Sequence, residues 1–183
     1  MRAAPHRTRG YNRGAMKPVS ATTTIDAPRE QVFALISDLA LRGSFTDHFI
    51  SSLHLQRLES SGVGASIRFR IDTGRKKLWM ESVIDQLEPP HRLVERGRGG
   101  RSDRIDFVTA WSLVRASGGT EVTVSFWSDA KHPFDRLMPS VVGGARSAKP
   151  WRRALARLKQ SAEAGEVPPR LEVAGGPRVA VRR

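Results

Sequence analysis

Residues 51–129 alternate between apolar and polar side chains, and clusters of Gly, Pro and Ser interrupt the alternation at short intervals. The clearest case places Ile67, Phe69 and Ile71 on one face of a strand, with Arg68 and Arg70 on the other. One apolar and one polar face are typical of an antiparallel sheet that is covered on a single side, whereas parallel strands buried on both sides form continuous apolar runs. The pattern predicts six strands joined as a meander and disfavours a doubly wound α/β fold.

The segment before the meander predicts one more strand and two short helices. Residues 19–25 (VSATTTI) are rich in β-branched side chains, which suit a half-buried pleated surface. Pro28 suits the opening turn of a helix. The helix that follows has an apolar face formed by Val32, Leu35, Ile36 and Leu39. Gly43 breaks that pattern, and residues 44–50 predict a second short helix.

The segment after the meander carries two groups of apolar residues at helical spacing, separated by Gly143-Gly144 and Pro150. The first group is Phe134, Leu137, Met138, Val141 and Val142, and the second is Trp151, Ala154, Leu155, Leu158 and Ala162. They predict one long helix kinked near Pro150, or two helices in succession. The only large surface available to this stripe is the apolar face of a seven-stranded sheet. We therefore expect an α+β fold in which a curved antiparallel sheet wraps around a long C-terminal helix.

The net charge of +13 comes from 31 Lys and Arg against 18 Asp and Glu, and much of it lies at the ends of the chain. Residues 1–16 are basic and show no periodicity, and residues 166–183 are rich in Pro and Gly. Such compositions do not bury enough apolar surface to offset the ordering entropy, so both are predicted to be disordered tails of one domain at residues 17–165. Because these end segments supply more than half of the excess charge, no specific nucleic-acid site is expected. Met16, just before the first strand, is a second candidate start of translation.

The chain has no cysteine, which excludes disulfides, thiolate metal ligands and a cysteine nucleophile and fits a reducing compartment. No apolar run approaches the roughly 20 residues that a membrane-spanning helix needs. The basic N-terminal segment leads into no hydrophobic stretch, unlike a secretory signal. Composition therefore predicts a cytoplasmic protein without a transmembrane segment, and it does not indicate an oligomeric state.

Two segments resemble the START/Bet v 1 superfamily, also called SRPBCC, which includes polyketide cyclase/dehydrase-like and lipid-transfer-like proteins. Residues 17–39 (KPVSATTTIDAPREQVFALISDL) are similar to its opening strand, Ala-Pro turn and first helix, and residues 151–163 (WRRALARLKQSAE) resemble its final helix. The resemblance extends over about residues 17–165 and implies the helix-grip fold, with an apolar cavity between the sheet and the C-terminal helix. It also implies binding of lipids, sterols, polyketides or other hydrophobic molecules, with enzymatic activity in only some members.

Two departures from the family pattern bear on function. After Asp38 the chain reads LALRGSFTDHF, in which Phe45 is the nearest aromatic residue where relatives often carry a tryptophan, so the cavity entrance is expected to differ. Aromatase/cyclase relatives resemble one another in using internal polar residues such as tyrosine and arginine, but the single tyrosine here is Tyr11, in the N-terminal tail. No catalytic residue is carried over from that branch.

The histidines are the first candidates for proton transfer near neutral pH, and none has a convincing partner. His91 and His132 lie beside prolines in predicted loops, and His54 lies on the side opposite its leucine neighbours, in solvent. His48 is predicted at a solvated rim of the cavity, where Asp47 points about 100° away on the helix and is poorly placed to orient it. The sequence predicts no catalytic histidine.

No motif indicates a metal ion or a cofactor. Histidines at ligand spacing do not occur, and Glu81, Asp85 and Asp106 have no partner that the sequence identifies. Residues 97–102 are rich in glycine, but no Lys-Ser/Thr pair or helix opening follows, so a hairpin turn is predicted instead of a phosphate loop.

Ligand contacts are predicted on the inward faces of the sheet and the helices, where the same residues also describe an ordinary packed core. They are Phe45, Phe49, Phe69, Phe107, Trp111, Leu113, Val122, Val124, Phe126, Leu137, Met138 and Val141. The resemblance favours a cavity, as does the small side-chain volume of Gly143 and Gly144. Arg68 and Arg70 are predicted on the outer face, and only a reversed register would turn them inward to favour an anionic ligand.

The leading hypothesis is binding or carriage of a hydrophobic or amphipathic small molecule in the internal cavity, with the short helix near Phe45 as the gate. An alternative is an enzyme of the polyketide cyclase/dehydrase type. A second alternative is an interaction protein that uses the basic tails on RNA, the ribosome or an anionic membrane.

Overall fold

The computed structural model describes residues 18–72, 77–100, 103–130, 147–165 and 167–171. The first helical region contains helix α1 (Arg29–Ser37), a 3-10 helix (Leu39–Leu41) and helix α2 (Arg42–Thr46), and the C-terminal helix is α3 (Ala148–Ala164). The strands are β1 (Val19–Ile25), β2 (Ile50–Leu55), β3 (Ser66–Asp72), β4 (Lys77–Glu88), β5 (Arg92–Gly99), β6 (Ile105–Ala116) and β7 (Gly119–Ala130).

All seven strands form one antiparallel sheet in the order β1-β7-β6-β5-β4-β3-β2. Strands β2 to β7 are a meander, and β1 crosses to the far side to pair with β7, where Val19 lies opposite Phe126 and Ile25 opposite Thr120. Helix α3 packs on the sheet, and two short helices separate β1 from β2. The α+β helix-grip architecture predicted from the sequence is confirmed.

The first helical region differs from the prediction in its bounds. Helix α1 begins after Pro28, and its most buried residues are Val32, Phe33 and Ile36. The second helix is residues 42–46 instead of 44–50, and Ile50 already belongs to β2. The side chain of Asp38 explains the break after α1, because it accepts a hydrogen bond from Ala40 N at 3.0 Å and caps the 3-10 helix.

Helix α3 begins at a side-chain cap. Ser147 accepts a hydrogen bond from Lys149 N at 3.2 Å, and Pro150 lies in the first turn, where its missing N–H has no intrahelical partner to lose. Pro150 therefore belongs to the start of α3, so the first alternative, one helix that continues through a kink at Pro150, is wrong, and the second, two helices in succession, stays a prediction. The buried stripe is the predicted one, namely Trp151, Ala154, Leu155, Leu158 and Ala162. The apolar group at residues 134–142 lies outside the described residues.

Helix α3 also covers the free edge of β1. Lys159 Nζ donates to Thr24 O at 2.8 Å, and the Glu163 carboxylate accepts from Asp26 N at 2.8 Å. The hydrogen bond from Asp26 N is the main cause that lowers the pKa of Glu163, and Lys159 lowers it further. At the opposite edge β2 is short, and its pairing with β3 is irregular near Ser52, which has a positive φ of 50°. Both devices protect sheet edges from pairing with another chain.

Glycines on the inner face of β5 make room for large neighbours. Gly97 and Gly99 lie within β5, so the predicted hairpin turn at residues 97–102 begins too early. A Cβ atom on Gly97 would lie 2.1 Å from Phe107 Cζ and 2.3 Å from Glu81 O, and the second contact is with backbone that cannot rotate away. The absent side chain of Gly97 therefore allows Phe107 to lie across β5.

Gly97→Ala is expected to destabilise the protein by about 1–3 kcal/mol, because the added methyl overpacks a filled site. Gly43→Ala is the matched control. The nearest atom to its added Cβ is Leu53 Cδ1 at 3.9 Å, and alanine is a better helix former than glycine, so stability should stay unchanged or rise. Urea unfolding of both variants tests the expectation. Equal stabilities would contradict it.

Residues 167–171 pack against the region between α1 and α2. Leu171 N donates to Ala40 O at 2.8 Å, Arg170 binds the Asp38 carboxylate and donates to Ser60 Oγ at 3.2 Å, and Pro168 is buried. These five residues belong to the C-terminal segment predicted to be a tail. In the parts of the chain that the structure describes, no helix is long and apolar enough to span a membrane.

Candidate functional site

The concave face of the sheet and the buried faces of the helices enclose one apolar core. Of the twelve predicted ligand contacts, nine are buried there, namely Phe45, Phe49, Phe69, Phe107, Trp111, Leu113, Val122, Val124 and Phe126. The other three, Leu137, Met138 and Val141, lie outside the described residues. Only Phe69, Phe107 and Phe126 border the internal cavity, and the remaining six belong to the surrounding packing.

The internal cavity lies between the sheet, α2 and α3. Its described lining is Arg42, Ile50, Ile67, Phe69, Ile71, Glu95, Phe107, Thr109, Phe126 and Trp151. The cavity volume is about 20 Å³. A cavity of about 10–15 Å³ holds one water molecule, and pockets for drug-sized ligands measure about 300–1,000 Å³. In this conformation the cavity has space for a single water, so any larger guest requires it to open.

Aromatic rings surround the cavity, with Trp151 of α3 at their centre. Its ring centroid lies 5.2 Å from that of Phe49, 5.6 Å from Phe126 and 6.1 Å from Trp111. The Phe107 ring stacks on Phe126 at 5.8 Å. Edge-to-face and offset contacts at these distances stabilise the core beyond the effect of burial alone.

A buried ion pair forms the polar part of the cavity wall. Arg42, the first residue of α2, donates from Nη2 to Glu95 Oε1 on β5 at 2.7 Å, and the two side chains are only 7% and 5% exposed. Glu95 also accepts from Ser82 Oγ at 2.7 Å and from Trp111 Nε1 at 3.3 Å. The guanidinium carbon lies 5.5 Å from the Trp111 ring and 5.7 Å from the Phe45 ring, within the range of cation–π attraction.

The hydrogen bonds of this pair are incomplete on the side of the arginine. Nη2 also donates to Ile36 O at 3.3 Å, but Nε of Arg42 is buried and has no hydrogen-bond partner in the described residues. An ionised carboxylate has about four acceptor positions, and Glu95 uses three of them. Within the described residues, the Nε donor of Arg42 and one acceptor position of Glu95 are thus without a partner.

Residues 16–163 match the family model for polyketide cyclase / dehydrase and lipid transport. The chain belongs to this family. A search of curated proteins finds no match.

Solved structures share the fold of this polyketide cyclase/lipid transport family member at low sequence identity. A START superfamily protein from Mycobacterium smegmatis aligns with a TM-score of 0.61 and 13% identity, over 84% of this chain and 100% of that one. The KanY protein, solved by NMR, has a TM-score of 0.64 and 16% identity, over 81% and 99% of the two chains. The ginseng major latex-like protein 151 from Panax ginseng has a TM-score of 0.57 and 14% identity, over 83% and 98%. These likenesses concern the fold.

Sequence reasoning missed the Arg42–Glu95 pair of this family member, although one signal for it was present. Glu95 stands two residues after Leu93 and two before Gly97, so it shares the inward face of β5 with them. A carboxylate on the apolar face of a strand requires a partner. The partner could not be found from periodicity, because Arg42 is 53 residues away on a helix of only five residues.

His48 was predicted to be solvated, and that prediction is wrong. Its side chain is half-buried, Nε2 donates to Pro150 O at 3.0 Å, and Nδ1 is buried without a hydrogen-bond partner in the described part of the chain. Burial is the main cause that lowers the pKa of His48, and the positive charges of Arg153 and Arg157 lower it further. The Pro150 carbonyl and the Asp47 carboxylate act in the opposite direction and raise it. Asp47 binds Arg157 instead of orienting the imidazole, as expected.

The lowered pKa of His48 predicts a pH dependence of stability. The unfolded pKa is about 6.5, so above that pH the imidazole is neutral in both states and its contribution is fully present. As pH falls from there through the lower folded pKa, the unfolded state binds the proton first and stability is lost. His48→Gln should remove this part of the dependence while the amide keeps a donor for Pro150 O. Urea unfolding of both proteins at a series of pH values tests this, and parallel curves would contradict it.

The other candidate residues lie away from the cavity. His54 is exposed beside Trp79, His91 is exposed with Nδ1 3.0 Å from Arg29 Nη1, and His132 lies outside the described residues. Arg68 and Arg70 are on the outer face as predicted, with guanidinium carbons 4.8 Å and 5.6 Å from the Trp79 ring. No group of three or more His, Asp or Glu that could hold a metal occurs in the described ranges.

A larger, open depression lies on the opposite, solvent-facing side of the sheet and measures about 530 Å³. Its lining includes Arg57, Glu81, Val83, Arg96, Arg98, Asp106 and Val108. Several of its charges are already paired, since Arg96 binds Asp85 at 2.6 Å and Arg98 lies 3.7 Å from Asp103. Exposed pairs of this kind contribute little, and the depression is not enclosed, so the internal cavity is the better candidate site.

Proposed function

We propose that the protein binds an apolar or amphipathic small molecule between the sheet and α3, and that Arg42 and Glu95 orient the polar end of that molecule. The family to which the chain belongs covers lipid transport as well as cyclase and dehydrase proteins. Affinity would come mainly from removing apolar ligand surface from water, at about 25 cal/mol per Å².

The observation that carries this proposal is the buried ion pair at an otherwise apolar cavity. Removing two charges from water costs several kcal/mol per ion, and apolar residues of similar volume often stabilise a core as well or better. A buried pair that carries this cost, and whose Nε donor on Arg42 has no partner in the described ranges, supports a role in recognising a ligand.

The volume of about 20 Å³ sets a condition on the proposal. A guest of several hundred Å³ must move part of the wall. The contact best suited to open is the one between α2 and the first turn of α3, because α2 is only five residues long and Trp151 of α3 borders the cavity. We expect Phe49 and Trp151 to separate there on binding, while the bond between Arg42 and Glu95 is kept.

Native mass spectrometry of the purified protein, followed by solvent extraction, tests the proposal directly. The expected result is an adduct that extracts as a hydrophobic compound, or saturable binding of the neutral probe N-phenylnaphthylamine. The double variant R42M/E95Q keeps the apolar walls, so it should retain this probe and bind a hydroxylated analogue more weakly. A protein that carries nothing and binds no neutral probe would refute the proposal.

A second candidate function is catalysis of the cyclase/dehydrase type. The convergence of Arg42, Glu95, Ser82 and Thr109 near one cavity favours it. Glu95 would take a proton from a carbon beside a ketone, and Arg42 would stabilise the enolate oxygen. Deuterium exchange at that carbon of an added aryl ketone, followed by NMR, tests this. Exchange that Glu95→Gln abolishes without loss of binding would support it, and absence of exchange in the wild type would reject it.

Two earlier expectations remain predictions. A role for the basic tails at residues 1–16 and 166–183 is one of them, and only residues 167–171 of these tails are described. The cytoplasmic location still rests on composition alone.

A further inference from the structure

We infer that the polar group recognised beside Arg42 and Glu95 is uncharged, such as a hydroxyl, ketone or ester carbonyl, and that carboxylates and other anions are rejected. This inference rests on the proposed function and specifies its ligand class. A lone buried arginine in a cavity would predict the opposite, an anionic ligand. The decisive feature is that the charge of Arg42 is already compensated.

Charge balance is the first argument. Among the described residues that line the cavity, Arg42 and Glu95 are the only charged ones, and their groups meet at 2.7 Å. The described part of the wall therefore carries no net charge. A carboxylate placed beside it would set two anions against one guanidinium in a site of low polarity, where an uncompensated charge is very costly.

The second argument is that Glu95 cannot easily leave to make way for a ligand anion. Its carboxylate accepts from Arg42, from Ser82 Oγ at 2.7 Å and from Trp111 Nε1 at 3.3 Å. Displacing it would leave the last two buried donors without this acceptor, at a penalty for each. The pair therefore acts as a fixed neutral unit.

The remaining hydrogen-bonding capacity fits a neutral oxygen. The buried Nε of Arg42 offers one N–H to a carbonyl or hydroxyl oxygen, and Glu95 has one acceptor position for a hydroxyl proton. A ligand hydroxyl satisfies both at once, and an ester or ketone satisfies the donor. An ionised carboxylate has no proton to give to Glu95.

Matched ligands test the inference on the unmodified protein. Decanol, methyl decanoate and decanoate share an alkyl chain and differ in the polar end, and each is titrated against bound N-phenylnaphthylamine at neutral pH. We expect the apparent dissociation constants of the alcohol and the ester, measured by displacement of the probe, to be lower than that of the carboxylate by about tenfold or more. Equal or tighter binding of decanoate overturns the inference while the proposed function survives. If neither the probe nor any ligand binds, the proposed function fails, and the inference fails with it.

Glu95→Gln then tests the cause. The amide keeps the shape and an acceptor oxygen but removes the negative charge, so Arg42 becomes uncompensated and the preference should shift toward decanoate by about tenfold or more. Asp85→Asn is the matched control, because it removes a carboxylate bound to Arg96 on the exposed outer face, at 2.6 Å. Its ligand preference should equal that of the wild type. Unchanged preference in a folded Glu95→Gln variant, verified by thermal unfolding, would overturn the charge argument.

Discussion

Replacing Arg42 alone by methionine is expected to lower the free energy of unfolding by about 3–5 kcal/mol, because the change leaves the Glu95 carboxylate buried without its cation. Both side chains are nearly inaccessible, so solvent does not screen the lost interaction. Ser82 and Trp111 would still donate to Glu95, but two neutral donors do not balance a full charge. The loss is large relative to the total stability of about 5–15 kcal/mol that is usual for a domain.

The double variant R42M/E95Q should recover about 2 kcal/mol or more of that loss. Glutamine removes the orphaned charge, its oxygen still accepts from Trp111, and its amide can donate to Ser82 Oγ. Urea unfolding of the wild type, both single variants and the double variant forms a double-mutant cycle. If the costs of the two single changes simply add, the pair is not coupled and the energetic argument for its role in recognition is wrong.

Trp151→Ala is the second change with a large expected effect, about 3–5 kcal/mol of destabilisation. Trp151 is 4% exposed, borders the cavity and contacts the rings of Phe49, Phe126 and Trp111. Its removal leaves a void that the sheet and α3 cannot close, because both are held by extensive packing elsewhere.

The same void should accept a guest. Indole is expected to raise the Tm of Trp151→Ala by more than it raises that of the wild type, since a ligand present at about 100 times its Kd stabilises by about 2.7 kcal/mol. Leu58→Ala is the control, because Leu58 is 70% exposed and its truncation should change stability by less than about 0.5 kcal/mol. A Trp151→Ala variant as stable as this control would show that Trp151 is not central to the core.

Local patterns were sufficient to predict most of the fold. The alternation at residues 67–71 assigned Phe69 to the interior and Arg68 to solvent, as found, because side-chain direction in a strand depends only on parity. The stripe from Trp151 to Ala162 was equally readable, since the helical spacing repeats over about three turns. The bounds of the helix that begins at Arg42 could not be predicted, because a helix of five residues is too short to show a periodic pattern.

The site was harder to predict than the fold, for a physical reason. Its polar half depends on contacts between Arg42, Ser82, Glu95 and Trp111, which come from four separate elements and meet only after the sheet has formed. The same limitation applied to His48, whose partner Pro150 is 102 residues away. Cavity volume also depends on packing between strands, because the missing side chain of Gly97 lets Phe107 lie across β5.

The attachment of α3 to β1 has a consequence for behaviour under stress. Lys159 and Glu163 occupy a carbonyl and an amide at the outermost strand, and these are groups that a strand from another molecule would need in order to add to the sheet. Unfolding of the last two turns of α3 would release both side chains and uncover the threonine-rich edge of β1 for pairing with another molecule. Gentle warming should therefore promote fibrillar self-assembly while most of the native secondary structure persists.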